Sequence, residues 1–199
     1  MATLASDNFD RANNATLGAN WIVNTGDFGI VSNQARATVD DSLSSYNGGV
    51  TWPNDQWSQA TLNTAVGNAA NNGTGTTVRG SASAGTDSAY EVYCSSAGTR
   101  LYKAVSGAFT QLGSDGATTW VAGNVCYLEI QGNAIVCKKG GSGGTTAASN
   151  SGDTTFASGK PGIQFGHGGT TCDINDWSGG DFSGGGGVTV KPLAALGVG

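Results

Sequence analysis

The chain has 199 residues, enough for one large domain built on one core. Charged residues make up only 12%, against about 25% in ordinary soluble domains, and the 34 glycines follow no Gly-X-Y period, which excludes a collagen-like chain. A net charge of -5 with nine scattered Lys and Arg offers no footprint for phosphates, and no apolar run reaches bilayer-spanning length. No nucleic-acid partner and no membrane insertion are therefore expected. The start "MATLASDNFD" has neither a basic n-region nor an apolar h-region, so no secretory signal is expected in this chain.

In chain order, "SDNFDRAN" reads as a short strand with Phe9 and Asp10 on opposite faces. The segment "YNGGVTWPNDQW" is rich in turn residues and carries Tyr46, Trp52 and Trp57. Trp52 precedes Pro53 and is expected in an extended or turn conformation. "SQATLNTAVGNAANN" suits a strand followed by a loop, because Gly and Asn interrupt any helix. "SAYEVYCSSAGTRLYKAVSGAFTQLGSDG" reads as a three-stranded meander with a turn at Ser106-Gly107. In its first strand Tyr90, Val92 and Cys94 share one face, Glu91 and Tyr93 the other.

"NVCYLEIQGNAIVCKK" is a hairpin turning near Gly132-Asn133. Cys126, Leu128 and Ile130 share one face, Tyr127 and Glu129 the opposite one. This turn sets Cys137 opposite Leu128 and leaves Cys126 and Cys137 as same-face diagonal neighbours. A bulge or a longer turn would bring them opposite each other. "GGSGGTTAASNSGD" is a low-complexity connection with room for an edge strand at "TTAAS", and "GKPGIQFG" is another strand. "TTCDINDWSGGD" is a last strand expected to pair with the first. Its alternation places Ile174 with Cys172 and Asp176, and Trp177 with Asp173 and Asn175. A domain of residues 1–183 is expected. Residues 184–199, a glycine spacer and the strand-like "VTVKPL", form a tail suited to another subunit's sheet edge.

Short alternating runs separated by Gly, Asn and Ser define an all-β, antiparallel sandwich or barrel. "DNFDRANNATLGANW", "YEVYCSSAGTRLYKAVSGAFTQLG", "VCYLEIQGNAIVCKKGG" and the closing "GKPGIQFG…CDINDWSGGD" resemble jelly-roll domains of the concanavalin A-like lectin/glucanase superfamily, which includes laminin G-like modules. The resemblance covers roughly residues 5–182. It implies a two-sheet antiparallel β-sandwich of jelly-roll type, with sugar-binding, glycan-cleaving and purely structural members. Such domains occur in bacterial extracellular and phage structural proteins.

Four cysteines, Cys94, Cys126, Cys137 and Cys172, allow two disulfides in three connectivities, with Cys126–Cys137 the leading local pair. Buried free thiols are the alternative. No C-x2-C spacing points to zinc. The glucanases of the resembled superfamily use an E-x-D-x-x-E strand, which is missing here. Glu91 and Glu129 are the only glutamates, and they could form a carboxylate pair only if their strands are neighbours. Asp173, Asn175 and Asp181, joined by Asp7 and Asp10 if the termini pair, are candidate Ca2+ ligands, although no EF-hand spacing is present. No other cofactor is implied. His167 sits between loop residues with no nucleophile beside it, and the acceptor patterns at Asn14 and Asn72 matter only in a secreted eukaryotic chain.

Tyr46, Trp52 and Trp57 are the candidate sugar-stacking residues, and filling the core is the competing role of Trp57. Trp21, Trp120 and Trp177 read as core. The leading expectation for function is a non-catalytic module that builds or decorates a virion or extracellular surface and touches glycans. Its partners are its own copies or other capsid and surface proteins. A monomeric carbohydrate-binding, lectin-like domain and a glycan-cleaving enzyme are the alternatives.

Overall fold

Residues 1–37, 39–63, 73–166 and 172–183 of the computed structural model are described, and they form fifteen strands with no helix among them. The first seven are β1 (Ala2–Asp7), β2 (Trp21–Thr25), β3 (Phe28–Ile30), β4 (Ala35–Ala37), β5 (Ser42–Tyr46), β6 (Gln56–Leu62) and β7 (Thr74–Gly80). The meander supplies β8 (Ser88–Ser95), β9 (Gly98–Val105) and β10 (Ala108–Gln111). The rest are β11 (Val125–Gln131), β12 (Ala134–Lys139), β13 (Thr145–Ser151), β14 (Lys160–Phe165) and β15 (Asp173–Asp181). Residues 184–199, His167 and Asn72 lie outside the described residues.

The strands form two antiparallel sheets facing each other, one of them curled, as in a jelly roll. The first sheet runs β13-β12-β11-β6-β15-β4-β3, with β1 added along β15. The second runs β10-β9-β8-β7-β14-β5-β2. The termini pair as expected, Asp7 standing opposite Trp177 and Ala2 opposite Asp181. The meander and its turn are present, with Ser106 and Gly107 at φ +51° and +81° between Val105 and Ala108. The hairpin keeps its expected register, with Gln131 opposite Ala134 and Leu128 opposite Cys137. "TTAAS" lies in the edge strand β13.

The core is made by inward residues of both sheets. Val78, Val92, Leu101, Ile163 and Phe165 come from one, and Leu62, Leu128, Ile130, Ile135 and Ile174 from the other. Removing such side chains from water is the main driving force of folding.

Two local expectations are corrected. β1 ends at Asp7, so Phe9 is not in a strand. It takes φ +54° behind an Asx turn, in which its amide donates to Asp7 Oδ1 at 2.9 Å, and its ring enters the core. In β15 the register shifts between Asn175 and Ser178, with Asp176 at φ +48°. The bulge resets the alternation, and Ile174 and Trp177 both reach the core instead of opposite faces.

Candidate functional site

The outward face of the second sheet carries the site. Antiparallel register lines up one rung across it: Ile22, Ser45, Gly162, Thr77, Glu91, Tyr102 and Gln111. A second rung, two residues along the strands, holds Leu43 opposite Gln164, Gln164 opposite Gly75, and Tyr93 opposite Arg100. Alternation puts all of these side chains on the face away from the core. Gly162 and Gly75 lay bare backbone in the middle of the two rungs. A Cβ at Gly162 would lie 2.0 Å from the Ser44 carbonyl, and one at Gly75 2.2 Å from the Val92 carbonyl. Only glycine lets the strands approach so closely there.

This face is polar and yet buried. Ser45, Thr77, Glu91 and Gln164 are at most 2% exposed. Four oxygens, Ser45 Oγ, Thr77 Oγ1, Glu91 Oε1 and Gln164 Oε1, have no hydrogen-bond partner. Buried polar groups are paired in the great majority of cases, so four orphans on adjacent strands of one face mark a place where buried water would bond. Gln164 is held in place by its own amide, which donates to the Val92 carbonyl at 2.6 Å.

An aromatic run leads from this floor to the surface. Tyr93 and Tyr102 have ring centroids 5.0 Å apart, Tyr102 and Phe109 6.4 Å apart, both edge to face. Tyr93 is buried, Tyr102 half-buried and Phe109 40% exposed.

Burial pushes the Glu91 carboxyl well above its ordinary value, and Asp87 and Asp41 add to this, offset in part by the Tyr93 hydroxyl. Asp87 at the rim is pushed up to about 6, by burial first and Asp41 second.

The condition for a Glu91–Glu129 carboxylate pair, neighbouring strands, is not met. Glu91 is on β8 in one sheet and Glu129 on β11 in the other, where Glu129 accepts from Lys138 Nζ at 2.8 Å. The expected calcium ligands do not meet either. Asp173 and Asp181 stand at opposite ends of β15. Asp173 is buried and bound by Arg36 through both carboxylate oxygens, at 2.5 and 2.6 Å. Asn175 is half-buried between them. Asp181 accepts from Ser183 Oγ. Asp7 accepts from Arg11 and from the Trp21 indole, and Asp10 is exposed. Burial alone would raise the Asp7 carboxyl, but its bonds to Arg11, Trp21 and the Phe9 amide outweigh it and hold it below the usual range.

The three expected sugar-stacking rings are not an open platform. Trp57 is 7% exposed on the outer face of the first sheet, stacked on Tyr127 at 5.7 Å, its indole donating to the Asp181 carbonyl. Tyr46, also 7% exposed, stacks on Trp177 at 4.8 Å. Trp52 is half-buried against both and donates to the Tyr46 carbonyl. Tyr46 does line a pocket of ≈ 290 Å³ with Asp7, Arg11 and Asn20. The charges there are already spent on each other. Glu91 and Tyr93 were recognisable in the sequence as one strand face. Tyr102 and Phe109 could have been joined to them by following the same alternation through the meander.

Cys94, Cys126 and Cys137 are buried thiols outside any disulfide, and Cys172 is buried as well. Cys126 stands opposite Lys139 and Cys137 opposite Leu128, so the hairpin does not present the two for bridging. Cys94, Cys126 and Cys137 nevertheless cluster, their sulfurs all within 4.8 Å of one another. Burial pushes the Cys94 and Cys137 thiols up. At Cys126 burial acts the same way, but hydrogen bonds from Cys137, Cys94 and Thr76 outweigh it, making it the first of the three to ionise.

Against this geometry, the fold has solved counterparts. The carbohydrate-binding module CBM66 from Bacillus subtilis is similar over 82% of this chain and 97% of its own, with 13% identity and a TM-score of 0.64. A GH43 protein, BlXynB from Bacillus licheniformis, matches 89% of this chain at 14% identity and a TM-score of 0.60, and this chain spans only 39% of its length. The LamAcat protein of Zobellia galactanivorans matches 89% of this chain and 96% of its own, at 9% identity and a TM-score of 0.53. At such identities the likeness establishes the sandwich fold alone. No protein-family model matches the chain, and no curated protein does.

Proposed function

We propose that the protein is a non-catalytic carbohydrate-binding module acting outside the cell, which takes a neutral, hydroxyl-rich glycan on the outward face of the second sheet. The observation that carries this reading is the aromatic run Tyr93–Tyr102–Phe109, which brings the half-buried Tyr102 and the exposed Phe109 to the surface of this sheet above a polar, buried layer of Ser45, Thr77, Glu91 and Gln164. Aromatic faces pack on the apolar faces of sugar rings while fixed acceptors bind the hydroxyls. Asp87 and Asp41, whose charges act on Glu91, put negative charge beside this face, which selects neutral glycans over uronic or sulfated ones. Similarity to a carbohydrate-binding module supports the same reading. The exterior-assembly role, which drew on the charge-poor composition, the lack of a catalytic constellation and the tail 184–199, draws no comparable support.

Glycan cleavage needs two carboxyls about 5–9.5 Å apart. The E-x-D-x-x-E strand that supplies such a pair in glucanases is missing from this sequence.

The test is a glycan array followed by calorimetry on the best neutral oligosaccharide, with a reducing-sugar assay alongside. Binding without release of reducing ends, weakened at least tenfold by Tyr102→Ala or Phe109→Ala, is the expected result. Absence of binding to any glycan, binding indifferent to both variants, or turnover would overturn the proposal.

A further inference from the structure

We propose that Cys94, Cys126 and Cys137 form a buried three-sulfur site for one soft monovalent metal ion of the Cu(I) class. This inference stands apart from the carbohydrate reading. It rests on the sandwich interior, not on its outer face.

The three cysteines come from three strands on two sheets. Cys94 is on β8 of the second sheet, and Cys126 and Cys137 are on β11 and β12 of the first. Each sits on the core parity of its strand, Cys94 with Tyr90 and Val92, Cys126 with Leu128 and Ile130, Cys137 with Ile135. All three are 0% exposed. Isolated buried cysteines pack as small hydrophobes. These three instead converge across the interface, with all sulfurs within 4.8 Å and Cys94 Sγ 3.4 Å from Cys126 Sγ.

That spacing suits a metal ion better than a bridge. Metal–sulfur bonds of about 2.3 Å in a trigonal plane hold their sulfurs about 4.0 Å apart. The 3.4 Å between Cys94 Sγ and Cys126 Sγ and the 4.8 Å limit that encloses all three sulfurs lie on either side of this value. A disulfide needs about 2.05 Å, well inside the 3.4 Å between Cys94 Sγ and Cys126 Sγ, and would leave the third sulfur without a partner.

The donor set selects the ion. Zinc structural sites are four-coordinate. Thr76 Oγ1, 3.7 Å from Cys126 Sγ and also within reach of the Ser58 carbonyl at 3.3 Å, is a neutral hydroxyl and a poor ligand. Cys172, the fourth cysteine, is not in the cluster. Three soft sulfurs, with no His, Asp or Glu beside them among the described residues, favour Cu(I). Binding exchanges thiol protons for the ion, with no oxidation or reduction of either. Because the sulfurs are sealed from solvent, the ion enters while the sheets are apart, so loading accompanies folding.

The experiment unfolds the full chain in guanidinium with a thiol reductant under anaerobic conditions. The chain is then refolded against one equivalent of Cu(I) supplied as its bicinchoninate complex. The expected result is transfer of one Cu(I) per chain, seen as loss of the chelate colour and retained through gel filtration, with a raised Tm. X-ray absorption at the copper edge is expected to give three sulfur neighbours. Cys94→Ala, Cys126→Ala and Cys137→Ala, each shown by circular dichroism to refold, are expected to leave the copper on the chelator, while Cys172→Ala takes it up. The sulfur count on the unsubstituted chain tests the site even where a variant fails to fold. Copper left on the chelator by the unsubstituted chain, fewer than three sulfur neighbours, uptake unchanged in Cys94→Ala, or displacement of bound copper by Zn(II) would each overturn the proposal.

Discussion

Glu91 is the residue on which most depends. It sits 2% exposed among oxygens, with Oε1 unpartnered. Its carboxyl is held well above the unfolded value of 4.5, chiefly by burial. A raised acid binds its proton more tightly folded than unfolded. Its stabilising contribution is therefore complete below pH 4.5 and is lost as pH rises through the folded-state value. Asp87, raised from 3.8 to about 6, acts in the same direction. Glu91→Gln, which mimics the protonated form, is expected to match the unsubstituted protein near pH 4. At pH 8 it is expected to exceed it by about 1–3 kcal/mol in urea unfolding. An equal difference at both pH values would contradict this account of Glu91.

Two aromatic substitutions separate binding from packing. Tyr102→Ala is expected to weaken glycan binding with little change in Tm, since Tyr102 is half-buried beside the exposed Phe109. Trp57→Ala is expected to cost about 3–5 kcal/mol of stability, measured by urea unfolding, because the ring is stacked on Tyr127 and hydrogen-bonded to Asp181.

At the scale of elements, hairpins were legible and irregularities were not. Gly132-Asn133 between alternating runs is a local signal, and the β11–β12 register follows from it residue by residue. The bulge in β15 has no such signal. Asn175 and Asp176 are polar residues in an alternating run, and only the pairing with β6 shows the slip that brings Trp177 inward. Rings were harder still. Tyr46, Trp52 and Trp57 lie in a turn-rich stretch, which suggests exposure, but burial depends on what the opposite strands bring, here Trp177 and Tyr127. The thiol cluster was invisible for the same reason. Cys126 and Cys137 are neighbours on one hairpin, but Cys94 joins them only when two sheets face each other.

Asp173 shows how an acidic run can be structural. It joins β15 to β4 through a two-pronged bond with Arg36. Asp173→Ala is expected to lower stability by about 1–3 kcal/mol, less than a fully buried pair would lose, because Arg36 is 32% exposed. Thermal unfolding with and without added Ca2+ checks the distinction. The loss is expected to be the same in both, whereas a Ca2+-dependent loss would restore the metal role.

At the scale of the whole molecule, the pairing of β1 with β15 closes the first sheet within residues 1–183. A chain ending at Ser183 is therefore expected to keep the Tm and glycan affinity of the full chain, checked by thermal unfolding and calorimetry. The fold class was readable because jelly rolls repeat one local pattern many times. The site was not, because it is a rung across strands β5, β14, β7, β8 and β9, whose order in space departs from their order in the chain.

The most direct test of the glycan-binding face is a titration of 15N-labelled protein with the neutral oligosaccharide selected on the array, followed by amide chemical shifts. The account predicts shifts concentrated at Ser45, Thr77, Glu91, Tyr93, Tyr102, Phe109 and Gln164, on the outward face of the second sheet. Shifts confined instead to Asp7, Arg11, Asn20 and Tyr46, or to Trp57 and Tyr127 on the other sheet, would contradict it.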